Sequence, residues 1–303
     1  MTQERDPYDQ LEFDDELPTS DEPPGPLFHY TNARGLMGIV EKRQVWATHC
    51  RHLNDMREMQ AGSTLVRDAL RSLHTEARQL RAGDLLRALE RRLDATPIHT
   101  FYAPFLASFS QDGDLLSQWR AYGDDGAGYS LGLDLASVLA TRTGITVRLV
   151  KCEYDADAFQ RRARDGFVAI AQKMDAYREA GFTDEARLLK RAHRAFMLHA
   201  SVLVPRFKSP GFREEREWRL VAFTADEKDE VKLAKFREGR RGLIPYFEIG
   251  LDHGDNRMPL TSVIVGPMSD PLAGAEAAAL LLLQHGYPAS IVTRSDIPYR
   301  SSR

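Results

Sequence analysis

The sequence predicts an α+β fold, and three observations lead there. Short strand-like runs cluster between long helical stretches, strands and helices do not alternate one for one, and no internal repeat occurs. The missing alternation argues against a doubly wound nucleotide-binding sheet. The expected organisation is one α+β domain over 26–303, with helical insertions near 57–95 and 157–203, behind an acidic tail over 1–25.

The elements follow in chain order. A short apolar strand runs from Leu27 to Tyr30, and Thr31 or Asn32 is placed to cap the helix "ARGLMGIVEKRQ". Leu36, Ile39 and Val40 give that helix an apolar stripe. "QVWATH" alternates as a strand does, and "LNDMREMQ" opens a second helix with Asp55 and Glu58 at capping-box spacing. Residues 59–95 are helical and charged, and 99–110 lead into a strand. "AGYSLGLDL" alternates again, with Asp124-Asp125-Gly126 as a hairpin turn signal before it. The strand "ITVRLVKCEYD" precedes two helices over about 157–203, broken near Gly181. "EWRLVAF", "IPYFEIGL" and "LTSVIVGP" are strands, 272–285 is a helix, and "ASIVTRSDI" is a closing strand.

Composition excludes several classes. A hydrophobic share of 43% and a charged share of 28% are those of a globular chain with a core. The longest apolar run, "AEAAALLLLQ", is too short to span a membrane, so no membrane partner is expected. The N-terminus lacks the apolar stretch of a secretory signal, and Cys50 and Cys152 give no disulfide framework, which together point to the cytoplasm. Residues 1–25 hold nine acids against one base, a net −8 that leaves +5 on the rest of a chain whose total is −3. This proline-rich segment has almost nothing to bury and is read as disordered. It serves solubility, or shields a basic groove in cis.

Four stretches carry candidate chemistry. In "GFREEREWRL" the extended alternation puts Glu215, Glu217 and Arg219 on one face of a strand. Two carboxylates so placed suit a reaction in which one stays charged beside a developing cation while the other handles a proton. The same pattern also fits a salt-bridged strand edge. In "FHYT", His29 and Thr31 point the same way, with Tyr30 opposite; they can hold ribose hydroxyls, or be a satisfied core histidine beside a capping threonine. "ASFSQDGDLLSQWRAYGDDG" brings Ser108, Ser110, Ser117, Trp119, Arg120 and Tyr122 close together, a set that suits a flat ring attached to a phosphate. Its glycines do not open a helix as a dinucleotide fingerprint does, and are read as hairpin chemistry. "THCRHLND" gathers His49, Cys50, His52 and Asp55 without a second ligand pair at zinc spacing, so no metal is expected. The basic helices at 67–92 and 161–194 also carry acids, and a solvated face is their default reading against nucleic-acid contact.

The stretches "LFHYTNARGLMGIVEKRQVWAT", "LNDMRE", "ASFSQDGDLLSQWRAYGDDGAGYSLGLD", "FKSPGFREEREWRLV", "SVIVGP" and "SDIPYR", in this order, resemble the bacterial domain-of-unknown-function 2971 family. A weaker resemblance is to the ADP-ribosyltransferases, which include DNA-modifying toxins and RNA 2′-phosphotransferases. It rests on a His-bearing strand followed by a helix, Ser108-Phe109-Ser110 where those enzymes have Ser-Thr-Ser, and Glu215-Arg216-Glu217 as their E-x-E. His29 stands where arginine-directed members have Arg, while members with His usually have one glutamate and a stacking tyrosine. The acceptor, protein or nucleic acid, therefore stays open.

This resemblance implies twisted, mainly antiparallel sheets and NAD as substrate, in a toxin or defence setting. Glu217 would steady the sugar cation and hold the 2′-hydroxyl, and Glu215 would orient or deprotonate the acceptor. His29 and Thr31 would hold the adenosine-side ribose. Arg120, or else Lys208 or Arg219, would meet the pyrophosphate, and Tyr122 or Trp119 the nicotinamide. The alternative is a catalytically inactive nucleotide- or nucleic-acid-binding module on the same scaffold.

Overall fold

The computed structural model describes residues 8, 11, 20–53, 56–76, 87, 91, 103–136, 144–224, 227–239, 242–251, 257–268 and 270–299. The chain divides into two compact units: 1–19, 50–104 and 153–210 form one, and 20–49, 105–152 and 211–303 form the other. The first is helical and the second holds the sheet.

Among the described residues the sheet unit contains ten strands: β1 (Leu27–Thr31), β2 (Gln44–His49), β3 (Phe105–Ser110), β4 (Tyr129–Leu133), β5 (Ile145–Lys151), β6 (Glu217–Thr224), β7 (Lys235–Gly239), β8 (Gly242–Gly250), β9 (Leu260–Val265) and β10 (Val292–Arg294). Their order is β10-β9-β4-β1-β3-β2-β8-β7, and β6 joins β3 to β5. Among the described strands only β9 and β10 pair in parallel, and the other strand pairs are antiparallel. The architecture is therefore α+β, with an open, mostly antiparallel sheet.

The local reasons are those the sequence offers. Helix α1 (Ala33–Lys42) starts where the Asn32 side chain accepts a hydrogen bond from the Gly35 N–H at 2.9 Å, and it buries Leu36, Ile39 and Val40. It stops at Arg43, which turns left-handed at φ 52° so that β2 can begin one residue later. Asn32, rather than Thr31, is the cap. The short helix α3 (Leu116–Ala121) follows β3 after α2 (Met56–Glu76) has been placed in the other unit.

The hairpin expected at Asp124-Asp125-Gly126 does not form. β3 and β4 are not neighbours, because β1 lies between them. The three residues do take positive φ (50°, 53° and 91°), but they turn the chain from α3 into β4. Turn chemistry was legible there, and the partner strand was not.

The helical unit packs α2 with α4 (Ala156–Glu179) and α5 (Glu185–Leu203), broken at Gly181 with φ 95°. Phe167 of α4 stacks on Phe196 of α5, ring centroids 4.4 Å apart. Asp155 and Asp184 cap the two helices through the N–H groups of Ala158 and Arg187. The expected capping box at Asp55 and much of the proposed insertion beyond residue 76 lie outside the described residues. Within the acidic segment over 1–25, Tyr8, Leu11 and 20–25 are described. Tyr8 packs edge-on against Phe182 with ring centroids 5.2 Å apart, and Leu11 is buried.

Two further helices of the sheet unit are described, α6 (Glu227–Leu233) and α7 (Pro271–Gln284). The core under the sheet includes Leu27, Phe105, Leu131, Leu149, Leu220, Phe247 and Val263. Among the described residues, no helix is long and apolar enough to cross a membrane.

Candidate functional site

The site begins with a fork in the sheet. Along one side, β3 is recorded paired with β2 through Phe105 and Leu106, and with β1 through Ser110 alone. Between those pairs the neighbour of β3 changes from one strand to another. The Ser108 carbonyl falls in this gap, and the His29 side chain serves it: Nδ1 donates to that oxygen at 3.0 Å. A carbonyl only accepts, so Nδ1 carries the proton and Nε2 of the neutral ring is left as an acceptor. Burial holds the His29 pKa below its ordinary value, with the Ser108 hydrogen bond opposing, so the neutral form is favoured.

A pocket opens at this fork, lined by Phe28, His29, Tyr30, Ser108, Phe109, Gln118, Tyr122, Glu215 and Glu217, with about 420 Å³ of space including its open mouth. All nine belong to the sheet unit. They come from β1, β3, α3 with its C-cap Tyr122, the end of the 3₁₀ segment at Glu215, and the first residue of β6.

The glutamates reach the pocket by a route the alternation did not foresee. Glu215 is not on the strand; it ends a 3₁₀ segment, Pro210–Glu215, and β6 starts at Glu217. Arg216 between them is left-handed at φ 41°, a conformation costly for a residue with a Cβ. The pleat therefore does not relate the two side chains, although both line the pocket. The Ser110 hydroxyl fixes this bend by donating to the Glu215 carbonyl at 2.8 Å while accepting from the Asp112 N–H at 3.0 Å. Outside the bend, Arg216 pairs with Asp112 at 2.9 Å.

The expected strand edge is also corrected. β6 is paired on both sides, by β3 and β5, and all eight of its residues are buried. Glu217 and Arg219 do share a face, and the guanidinium grips the carboxylate by two bonds, Nε to Oε1 at 2.8 Å and Nη2 to Oε2 at 3.2 Å. Each residue is 4% exposed.

His29, Tyr30, Ser108, Tyr122, Glu215 and Glu217 are thus brought together, and six other candidates do not line the pocket. Trp119 is wholly buried, its indole N–H donating to Asp114 at 2.7 Å and its ring edge-on to Tyr30, centroids 4.8 Å apart. Tyr122, three residues on, is 44% exposed and lines the pocket. Thr31 packs against α1, where a Cβ on Gly35 would stand 1.9 Å from Oγ1. Ser110 holds the bend, Arg219 holds Glu217, and Arg120 is exposed without lining the pocket. Lys208 lies in the helical unit, buried, with Nζ 3.8 Å from Glu58 Oε1.

Tyr30 is fixed at both ends. Its hydroxyl donates to the Asp112 carbonyl at 2.8 Å and accepts from the Leu115 N–H at 2.9 Å, and burial pushes its pKa well above the ordinary tyrosine value. Phe28, Phe109 and Gln118 were not anticipated. The two phenylalanines adjoin His29 and Ser108 in sequence, and Gln118 is four residues before Tyr122, one turn along the same helix face.

Chemically, the pocket offers two carboxylates, a neutral imidazole, a serine and four aromatic rings, and none of its lining residues is Lys or Arg. Such a surface favours a flat cation over an anion. Among the described residues, no group of three or more His, Cys, Asp or Glu side chains is placed to hold a metal ion.

Residues 118–220 match the model of a family described as "Protein of unknown function (DUF2971)". That span takes in Gln118, Tyr122, Glu215 and Glu217 and stops before the rest of β6. No curated protein and no solved structure matches the chain.

Proposed function

We propose that this chain is an ADP-ribosyltransferase or NAD⁺ glycohydrolase on an ADP-ribosyltransferase-like fold, acting in the cytoplasm with NAD⁺ as substrate. One observation carries the reading: His29, Ser108 and the Glu215/Glu217 pair, far apart in sequence, line a single pocket that has carboxylates and aromatic rings and no cationic side chain. The nicotinamide ring of NAD⁺ is a pyridinium cation, and its bond to ribose is the one that breaks. Aromatic faces and carboxylates favour such a ring.

When the bond from ribose C1′ to the pyridinium nitrogen breaks, the bonding pair leaves with nicotinamide and the sugar becomes an oxocarbenium ion. The Glu217 carboxylate, oriented by Arg219, stabilises that cation and accepts from the 2′-hydroxyl. The acceptor's nucleophile then bonds to C1′ and gives up its proton to Glu215. With water as acceptor the products are ADP-ribose, nicotinamide and a proton. His29 Nε2 accepts from a ribose hydroxyl, and Tyr122 is the aromatic ring offered to nicotinamide.

Binding without turnover is the second reading, and the bidentate, deeply buried Glu217–Arg219 pair favours it, since structural ion pairs have this form. Nicotinamide release from NAD⁺ by the purified chain, alone and with cell lysate supplying acceptors, separates the two. The expected result is release by wild type, with loss in Glu217→Gln judged per folded molecule. A folded wild type that binds NAD⁺ saturably but releases nothing establishes the binding module. Absence of both binding and release overturns the assignment.

A further inference from the structure

The short helix α3 presents Gln118 to the pocket, and its C-cap presents Tyr122. It has six residues and no side-chain bond at its N-cap, Leu115. A helix so short does not hold itself in water, so contacts from elsewhere in the fold must place it. Trp119, packed against Tyr30, is one such contact. The end of the chain supplies others.

Residues 295–299 are bonded to the chain on both flanks of α3. Before the helix stands Asp114, whose carboxylate collects three donors. Oδ1 accepts from the Trp119 indole N–H at 2.7 Å and from the Ser295 hydroxyl, and Oδ2 accepts from the Asp296 N–H at 2.9 Å. The Ser295 oxygen in turn accepts from the Ile297 N–H at 3.1 Å. After the helix, the Tyr299 hydroxyl donates to Asp125 Oδ1 at 2.8 Å, and a Cβ on Gly126 would stand 3.1 Å from the Tyr299 ring. The segment itself is pinned to the end of β9, where the Ser295 N–H donates to the Val265 carbonyl at 2.8 Å. All of these groups belong to the sheet unit.

We propose that Asp114 is a positioning residue of the pocket: it ties residues 295–299 to α3 as a strap, and the strap sets where Tyr122 and Gln118 face. A carboxylate is what the place requires. One oxygen accepts from an indole N–H and the other from a backbone N–H, and neither donor can become an acceptor. An asparagine there would have to point its NH₂ at one of them. The strap bonds to the flanks of α3, whereas Glu217 is held on β6 by Arg219. Loosening the strap should therefore weaken ring binding at Tyr122 and spare the chemistry at Glu217. That division rests on the NAD⁺ reading; the placement of α3 does not.

Hydrogen exchange together with kinetics tests this on the full chain. The Tyr122 N–H donates to the Gln118 carbonyl at 2.9 Å, and the Gly123 N–H to the Gln118 and Trp119 carbonyls at 3.1 Å, so their exchange reports opening of α3. Ser295→Ala, Tyr299→Phe and Asp114→Asn should each speed exchange at these two amides about tenfold and leave the Leu220 and Val221 amides of β6 unchanged. In the same variants KM for NAD⁺ should rise about tenfold with kcat within about twofold. Ser295→Thr, which keeps the hydroxyl, should match wild type in both readouts. Unchanged exchange at Tyr122 and Gly123 in all three variants overturns the proposal. So does a rise spread evenly over α3 and β6, which would make the strap a general brace, and so does a fall in kcat with KM unchanged. A wild type that releases no nicotinamide overturns the reaction instead, and the exchange pattern alone then upholds or overturns the strap.

Discussion

Two buried ion pairs, one in each unit, are alike in composition and different in consequence. Glu217–Arg219 in the sheet unit and Glu58–Lys208 in the helical unit each join a carboxylate and a cation, all four residues under a tenth exposed. In the first, a planar guanidinium makes two bonds to a carboxylate on a strand held by neighbours on both sides. In the second, an ammonium stands 3.8 Å from an acid on α2, beside a chain segment tied back by the Lys208 N–H to the Glu153 carbonyl. Glu217 lines a pocket with Glu215, His29 and Ser108, and Glu58 does not line it. A buried charge pair alone does not mark a site; the convergence of other reactive groups on the same acid does.

The largest expected effect breaks the comparison on the functional side. Glu217→Gln should lower nicotinamide release at least about a hundredfold, as loss of an electrostatic stabiliser does, while Glu58→Gln should leave release within about twofold. Equal loss in both would remove the distinction between the pairs. Next come the cations. Arg219→Leu strands a buried carboxylate and should cost about 3–5 kcal/mol in urea unfolding. Lys208→Met, at the longer contact, should cost about 1–2 kcal/mol. The reverse order would mean that contact distance does not rank these pairs.

A smaller effect concerns the bend that separates Glu215 from the strand. Arg216→Val should cost about 1–2 kcal/mol, because a β-branched residue resists positive φ. Arg216→Gly should fall within about 0.5 kcal/mol of wild type, the relieved strain offsetting the added freedom of the unfolded chain. Matching stabilities for the two variants would show that the left-handed turn is not what positions Glu215. The smallest effect is on His29. Its folded pKa is lowered by burial, so below pH about 6.5 the unfolded chain binds the extra proton more readily. Stability is full above that value and declines as pH falls toward the folded pKa, by at most about 1.4 kcal/mol per pH unit. Urea titrations between pH 8 and pH 5 should show this slope in wild type and a flatter one in His29→Gln.

His29, Ser108 and Glu217 were legible in the sequence because a histidine, a serine or a glutamate amid apolar strand residues needs either a partner or a use. Tyr122 and Trp119 were not separable, since two aromatics three residues apart on a short helix look the same until one is packed under Tyr30. Sequence does not separate the uses of Thr31 and Ser110, because a hydroxyl suits a ligand, a cap or the backbone; here they serve Gly35 packing and the Glu215 carbonyl. Arg219 was offered to a pyrophosphate, but its guanidinium grips a neighbour two residues away.

By itself the sequence determined the local units: a helix capped at Thr31 or Asn32, the break near Gly181, strands within "QVWATH", "EWRLVAF" and "LTSVIVGP", and the charge block before residue 25. These follow from hydrophobic period, capping and turn chemistry within a few residues. Only the tertiary structure decided that β1 and β6 flank β3, that the neighbour of β3 changes at Ser108, and that Arg216 turns left-handed. Strand pairing joins residues about a hundred positions apart, and adjacent backbones bond almost equally well in many orders, so burial of the whole sheet selects one. The pocket is a product of that selection.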